Sequence, residues 1–329
     1  MKLTTDMQVY DCLKIPELAD LVPYFSGRCD GLKKDEEGRT FEDLSKLYST
    51  WNPQSMIYGL NRLIQVGESK KKCIYSVYSD EKVRSDRSLD TVKLISFPAE
   101  TKNPFIIICA GGGYNCVCSM GEAFPVAAAF NKLGFSAFVL NYRTNSNDPS
   151  ELFPKPIDDL AAAIKYIISN RELLNIYTDN YVVCGFSAGG NLANLWGLEN
   201  VGYIHYGLRK PLALFCIYTA LNMSHADDCD YSEMLLGKSY TENDLKKYSI
   251  EQNISNKYPP CFIVVCKDDD TVPYTQSELL SSVLISSKVP NCLEIHEHGG
   301  HGFGDGRGTE AVDWPARAIL FLENLPKIE

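Results

Sequence analysis

The 329-residue chain has no apolar run approaching the ~20 residues that a membrane span needs. It has no basic excess either: 32 Lys and Arg stand against 42 Asp and Glu, a formal net charge of −10. A nucleic-acid partner would want a basic face, so neither nucleic acid nor a membrane is an expected partner. The opening stretch MKLTTDMQVYDCLKIPELAD lacks the unbroken apolar core of a secretory leader, because Asp6, Asp11, Lys14 and Glu17 interrupt it. The cytoplasm is the resulting expectation. Internal repeats and low-complexity tracts are missing. So are nucleotide motifs. GGGYNCVC (111–118) does not fit G-x-G-x-x-G and no lysine follows as in a P-loop; GKS (237–239) has serine at 232 where the earlier glycine should stand.

Cysteine is plentiful, at 12, but scattered. Cys109, Cys184, Cys216, Cys261 and Cys266 fall in apolar runs, where a free thiol behaves as a small hydrophobe. With no leader in view, all are expected to be reduced. Cys116-Val-Cys118 is too closely spaced for a zinc knuckle and has no second pair nearby.

What is present is a rhythm. From residue 104, strand-length apolar runs alternate with stretches of helical period. FIIICA (105–110), FSAFVLNYR (135–143), NYVVCG (180–185), PLALFCIYT (211–219), PPCFIVVCKD (259–268) and CLEIHEHG (292–299) read as strands. GEAFPVAAAFNKLG (121–134), PIDDLAAAIKYIISNREL (156–173), a helix begun at Ser187, and stretches near 275–287 and 311–322 read as helices. Asp158 and Asp159 would lie in a first helical turn, favourable to the dipole. Such alternation predicts an α/β fold: a mainly parallel twisted sheet with helices on both faces.

Two regions break the rhythm. Residues 222–257 are polar, carry Asp227, Asp228 and Asp230, and read as a lid-like insertion. Residues 1–70 hold helical stripes at 41–51 and 55–67 and read as a helical extension, either a cap or an interface. KKCIYSVYS and TVKLISFPA then alternate as strands and lead into the 71–329 domain.

The stretch GFSAGG (185–190) follows an apolar strand and opens a helix. A strand turning straight into a helix leaves little room for side chains, and G-x-S-x-G supplies glycines on both sides of Ser187. That is the nucleophile elbow of α/β-hydrolases, which lifts a serine hydroxyl above the sheet edge. A serine needs a base, and the base an orienting acid, both in loops after later strands.

Of five histidines, His205 and His225 follow no clear strand and His296 lies inside one. His298 and His301 follow that strand, and His301, between Gly300 and Gly302, is the preferred base. A metal reading of His296, Glu297, His298 and His301 finds no further ligand set. The acid should follow CFIVVC, where Asp268, Asp269 and Asp270 compete. The oxyanion needs N–H donors: Ala188, next after the nucleophile, and Gly112 or Gly113 in the loop AGGGY.

These pieces are similar to a known family. GGGY with SMGEAFPVA, VLNYR, PIDDLAAAIKYI, GFSAGGNLA, PPCFIVVCKDDDTVPYTQS and HEHGGHGFG together resemble α/β-hydrolase esterases related to bacterial acetyl-xylan and carbohydrate acetyl esterases, near the hormone-sensitive-lipase-like branch. The resemblance runs from about Lys71 onward. In that family the acid stands in D-x-x-V-P, which implies Asp269 with Val272 and Pro273, and the base in G-x-H-G, which implies His301. The chain departs at Ala110, where the family often has His or Pro.

The expectation is a serine esterase for short acyl, above all acetyl, esters on carbohydrate, with no cofactor or metal required. Its partner would be a small-molecule ester, and the N-terminal helices are available for a homo-oligomer. Alternatives are an arylformamidase- or peptidase-type amide hydrolase, a general carboxylesterase or lipase, and a catalytically silent binding protein on the same scaffold.

Overall fold

The computed structural model describes residues 2–25, 38–48, 50–145, 151–221 and 231–326. Among these, eight strands form one sheet: β1 (Ile74–Ser76), β2 (Lys93–Phe97), β3 (Phe105–Cys109), β4 (Ala137–Asn141), β5 (Tyr181–Phe186), β6 (Ala213–Ile217), β7 (Cys261–Cys266) and β8 (Asn291–His296). Their spatial order is β1-β2-β4-β3-β5-β6-β7-β8. β1/β2 and β2/β4 pair antiparallel; every pair from β4 to β8 is parallel. The central strands are buried throughout, as expected of parallel strands covered on both faces. β8 is an edge and only half-buried.

One helical layer contains Pro53–Glu68, Phe124–Lys132 and Trp314–Glu323, which pack on one another. Phe130 and Trp314 bridge that layer to the sheet through Phe215 and Phe186. The helix Ser187–Gly197 lies against β5 and β6 and packs on Lys155–Ser169. The α/β architecture is therefore as expected. Among the described residues no helix is long and apolar enough to cross a membrane.

Two helix limits differ from the periodicity. The last helix begins at Trp314, not Ala311, and Pro315, which lacks an N–H and fits a first turn, fixes that start. The expected helical start at Gly121 lies inside a π-helical turn, Ser119–Ala123, that runs straight into the α-helix Phe124–Lys132. The run 156–173 is two helices, Lys155–Ser169 and Arg171–Leu174. Asn170 separates them by turning its side chain back onto the Tyr166 carbonyl. With the helix starting at Lys155, Asp158 lies in its first turn and Asp159 just beyond it; Asp159 is fully buried and gripped by Arg143, through backbone N–H and guanidinium, and by the Tyr78 hydroxyl.

The segment before residue 70 shares the main hydrophobic core, through Leu3, Val9, Phe25, Phe41 and Leu60. Pro53–Glu68 crosses Phe124–Lys132 at Gly59, where any side chain would strike the Phe124 and Pro125 backbone. The ten described cysteines are free thiols; Cys29 and Cys229 lie outside the described residues. Of the insertion, Tyr231–Leu236, Glu242–Tyr248 and Ile250–Asn253 are helical; 222–230, with His225 and the three aspartates, lies outside the described residues.

Candidate active site

β5 ends in the elbow. Ser187 has φ +51°, a left-handed conformation that a side-chain-bearing residue adopts only under constraint. The constraint is visible in its neighbours. A Cβ on Gly185 would collide with the Gly189 carbonyl, and one on Gly189 with the Cys109 and Ala110 carbonyls. The helix Ser187–Gly197 can therefore sit directly on β3 and β5, and its N-terminus faces the serine hydroxyl.

The chain then brings its candidates together. His301 Nε2 lies 2.9 Å from Ser187 Oγ. His301 Nδ1 lies 2.8 Å from Asp269 Oδ2. The other Asp269 oxygen accepts the N–H groups of Thr271 at 2.9 Å and Val272 at 2.8 Å, so the carboxylate cannot swing away. In a neutral imidazole, a carboxylate accepting from Nδ1–H leaves Nε2 as the acceptor for the serine hydroxyl. The Asp269 side chain is fully buried, while the His301 side chain is 15% and Ser187 8% exposed, so solvent reaches this chain of bonds at its serine–imidazole end and not at its acid end.

The three aspartates that competed on sequence do three different things. Asp269 meets His301. Asp268 accepts the N–H groups of Gly299 and Gly300 and faces His298. Burial acts to raise the Asp268 carboxyl, but the Gly300 and Gly299 N–H groups outweigh it and hold the group below its ordinary value. Asp270 is exposed and bonds Thr271. His296 closes β8 beside Glu294, and His205 packs on Tyr206. Among the described residues no group of three or more His, Cys, Asp or Glu is arranged to hold a metal ion.

The glycine loop after β3 is tied down from several sides. Glu122 Oε2 accepts the Gly111 N–H. The Tyr114 hydroxyl donates to Asn191 Oδ1, whose amide in turn donates to the Ala220 carbonyl. The N–H groups of Asn115 and Cys116 return to the Gly112 carbonyl. Gly112 and Gly113 have φ of +128° and +59°, and the Tyr231 hydroxyl stands 3.4 Å from where a Cβ on Gly113 would be. The insertion thus reaches the loop. One turn beyond Ser187, a cavity of about 440 Å³ opens between Asn191, Leu221 and Phe153 and the insertion helices.

Two residues that motif reasoning passed over belong to this site. Glu122 is 4% exposed, and burial raises its carboxyl above the ordinary value; the Gly111 N–H, nearby His301 and the Tyr218 hydroxyl pull partway back. Tyr218 sets its ring 4.8 Å from that of His301, tilted by 59°, donates its hydroxyl to Glu122 Oε1 and accepts the Gly304 N–H. Burial keeps its phenol protonated, pushing it well above the ordinary value. A lone carboxylate in the apolar run GEAFPVAAAF was the available signal for Glu122. Tyr218, as part of a strand-like run, carried none.

A family model described as BD-FAE matches residues 95–284, more than half of the chain. The chain is 29% identical over 210 residues to an endo-1,4-beta-xylanase B of Butyrivibrio fibrisolvens, across 62% of this chain and 33% of that protein. It is 26% identical over 214 residues to an acetylxylan esterase of Xylanibacter ruminicola, across 64% of this chain and 43% of that protein. It spans under half the length of these two relatives. Among solved structures, an acetyl ester-xyloside bifunctional hydrolase from Caldicellulosiruptor lactoaceticus superposes with TM-score 0.65 at 27% identity, covering 77% of this chain and 96% of the other. A truncated carbohydrate esterase from gut microbiota has TM-score 0.61 at 20% identity, covering 78% and 99%, a likeness of fold. These agree with the resemblance carried by the motifs: on an α/β-hydrolase frame, with an elbow serine at the end of its fifth strand, the chain belongs to the BD-FAE family.

Proposed function

We propose that this chain is a serine esterase that removes short acyl groups, acetyl above all, from carbohydrate. The observation that carries the reading is the unbroken Ser187–His301–Asp269 hydrogen-bond chain, with contacts of 2.9 and 2.8 Å. The names of the relatives, an acetylxylan esterase and an acetyl ester-xyloside hydrolase among them, support the acyl group and the carbohydrate side.

In this reading Ser187 Oγ attacks the ester carbonyl while His301 Nε2 takes its proton. Asp269 holds the tautomer and stabilises the imidazolium. The tetrahedral oxyanion forms beside the Ser187 helix N-terminus, where the Ala188 N–H points at it. The Gly111 N–H is already committed to Glu122, which leaves Gly112 or Gly113 to supply the second donor. His301 then hands its proton to the leaving alkoxide, the alcohol departs, and an acyl-Ser187 ester remains. Water, deprotonated by His301, attacks that ester; the bond to Ser187 Oγ breaks, His301 returns the proton to Oγ, and the acid leaves. Glu122 fixes the glycine loop and sets its carboxyl near the imidazolium.

The test is hydrolysis of p-nitrophenyl acetate, butyrate and octanoate by the wild type and Ser187→Ala, followed by acetylated xylo-oligosaccharides. Rates highest on acetate, lost in the variant, and acetate release from the oligosaccharide support the proposal. An inactive wild type, or equal rates in the variant, sinks it. A rate that climbs with chain length moves the substrate to lipid-like esters.

A further inference from the structure

His301 sits on a segment that has almost nothing of its own to pack. Between residues 299 and 308 glycine occupies 299, 300, 302, 304, 306 and 308. The last five of these have φ between +53° and +85°. Such a stretch loses a large backbone entropy on ordering and brings few side chains to repay it. Its fixed shape must come from neighbours.

Some neighbours belong to the hydrolase core. Asp268 accepts the Gly299 and Gly300 N–H groups, Tyr218 the Gly304 N–H, and Trp314 Nε1 donates to the Gly304 carbonyl at 2.8 Å. The others come from the start of the chain, outside the family-matched stretch. Ser55 Oγ donates to Asp305 Oδ1 at 2.6 Å, with Ser55 2% and Asp305 7% exposed. The same Asp305 oxygen accepts the Arg307 N–H at 3.2 Å, and its partner oxygen faces the Arg307 guanidinium at 3.4 Å. That guanidinium lies over the Tyr58 ring, 5.2 Å from its centre. Asn52 Nδ2 donates to the Arg307 carbonyl at 3.1 Å. Thr50 closes over the other end: its methyl and hydroxyl each stand 3.0 Å from where a Cβ on Gly300 and on Gly302 would be. Residues on both sides of His301 are thus in contact with Thr50.

We propose that the 50–58 segment is the brace of the base loop, with Ser55 its principal positioning residue and Thr50 its second. Ser55 does not touch substrate. It pins Asp305, which pins the 305–307 turn, and Thr50 limits the backbone next to His301. Misplacing an imidazole by about 1 Å lowers a rate up to ~100-fold without altering what binds. The inference rests on the reading of His301 as base, and its test separates the two.

Three full-length variants are compared with the wild type: Ser55→Ala, Thr50→Ala, and Asn61→Ala as control. Asn61 lies on the same helix and ties it to Leu3, away from the loop. Two readouts are taken: amide hydrogen exchange of the peptide spanning 299–309, and kcat and KM on p-nitrophenyl acetate. Ser55→Ala should speed exchange in that peptide at least tenfold and lower kcat about tenfold, with KM within twofold. Thr50→Ala, which leaves the buried Ser55–Asp305 pair intact, should give a few-fold change in both. Asn61→Ala should change neither by more than twofold. Unchanged exchange in both test variants overturns the brace. Faster exchange with unchanged kcat overturns the positioning role. Losses in Asn61→Ala equal to those in Ser55→Ala reduce the segment to general stability and overturn the proposal. An inactive wild type whose loop exchange still depends on Ser55 leaves the brace standing and removes the esterase reading instead.

Discussion

Ser187 and His301, the proposed nucleophile and base, are immobilised by opposite means. Around Ser187 the chain is held by exclusion. The elbow backbone touches that of β3 and β5 so closely that no side chain fits at Gly185 or Gly189. Around His301 it is held by tethers. Asp268, Tyr218, Trp314, Asn52 and Ser55 reach in from five places in the sequence to bond a glycine-rich loop. Exclusion is local, so a few residues encode it. Tethering is distributed, so each contact is modest and the set matters.

That contrast orders what should break. Ser187→Ala removes the nucleophile and should lower kcat by ~10⁴-fold or more, measured on acetate ester, with the fold intact by circular dichroism. Gly189→Ala attacks exclusion itself. Its methyl meets two backbone carbonyls that cannot rotate aside, and the expected loss is about 3 kcal/mol or failure to fold, read from urea unfolding.

Glu122→Gln tests the link between the glycine loop and the base. It should lower kcat about tenfold, or ~1.4 kcal/mol in the barrier. The folded-state carboxyl is raised by burial, so its contribution is full below the ordinary carboxylate range and is lost as pH rises through the folded value. The variant should flatten that decline in urea midpoints taken across pH.

Asp268→Asn removes one tether among several, and a few-fold fall in kcat is expected. Here the folded-state group is lowered. Its contribution is present above the ordinary value, about 3.9, and is lost as pH falls through the folded one. The wild type should therefore show acid-induced loosening of the 299–309 peptide in hydrogen exchange, and the variant should be loose already at neutral pH.

Legibility in the sequence followed the same division. The alternation of strands and helices and the elbow around Ser187 were readable because their causes are local: hydrophobic period and steric room. His301 was readable as a histidine beyond the last strand. Asp269 separated from its neighbours only through a family pattern, because Asp268, Asp269 and Asp270 are equivalent in composition and differ in which loop each faces. Glu122, Tyr218, Ser55 and Asp305 were not assigned roles. Each acts through a partner far along the chain, 250 positions away for Ser55 and Asp305 and 96 for Tyr218 and Glu122. Periodicity reports which face of a helix is buried and nothing about what it meets.

The separation of Ser55 from Asp305 also bears on how the molecule comes into being. During synthesis the serine, its elbow and the glycine loop exist long before residue 301 has been added. Such pairings close very long loops, 250 positions for Ser55 and Asp305 and 255 for Asn52 and Arg307, and contacts of that separation slow folding. On the reading of Ser187 as nucleophile and His301 as base, a chain that has not reached residue 301 holds the serine without the group that would take its proton. Reactivity arrives with the last-made stretch, when it settles against one of the first-made helices. In that sense hydrolysis reports that the two ends of the folding process have met.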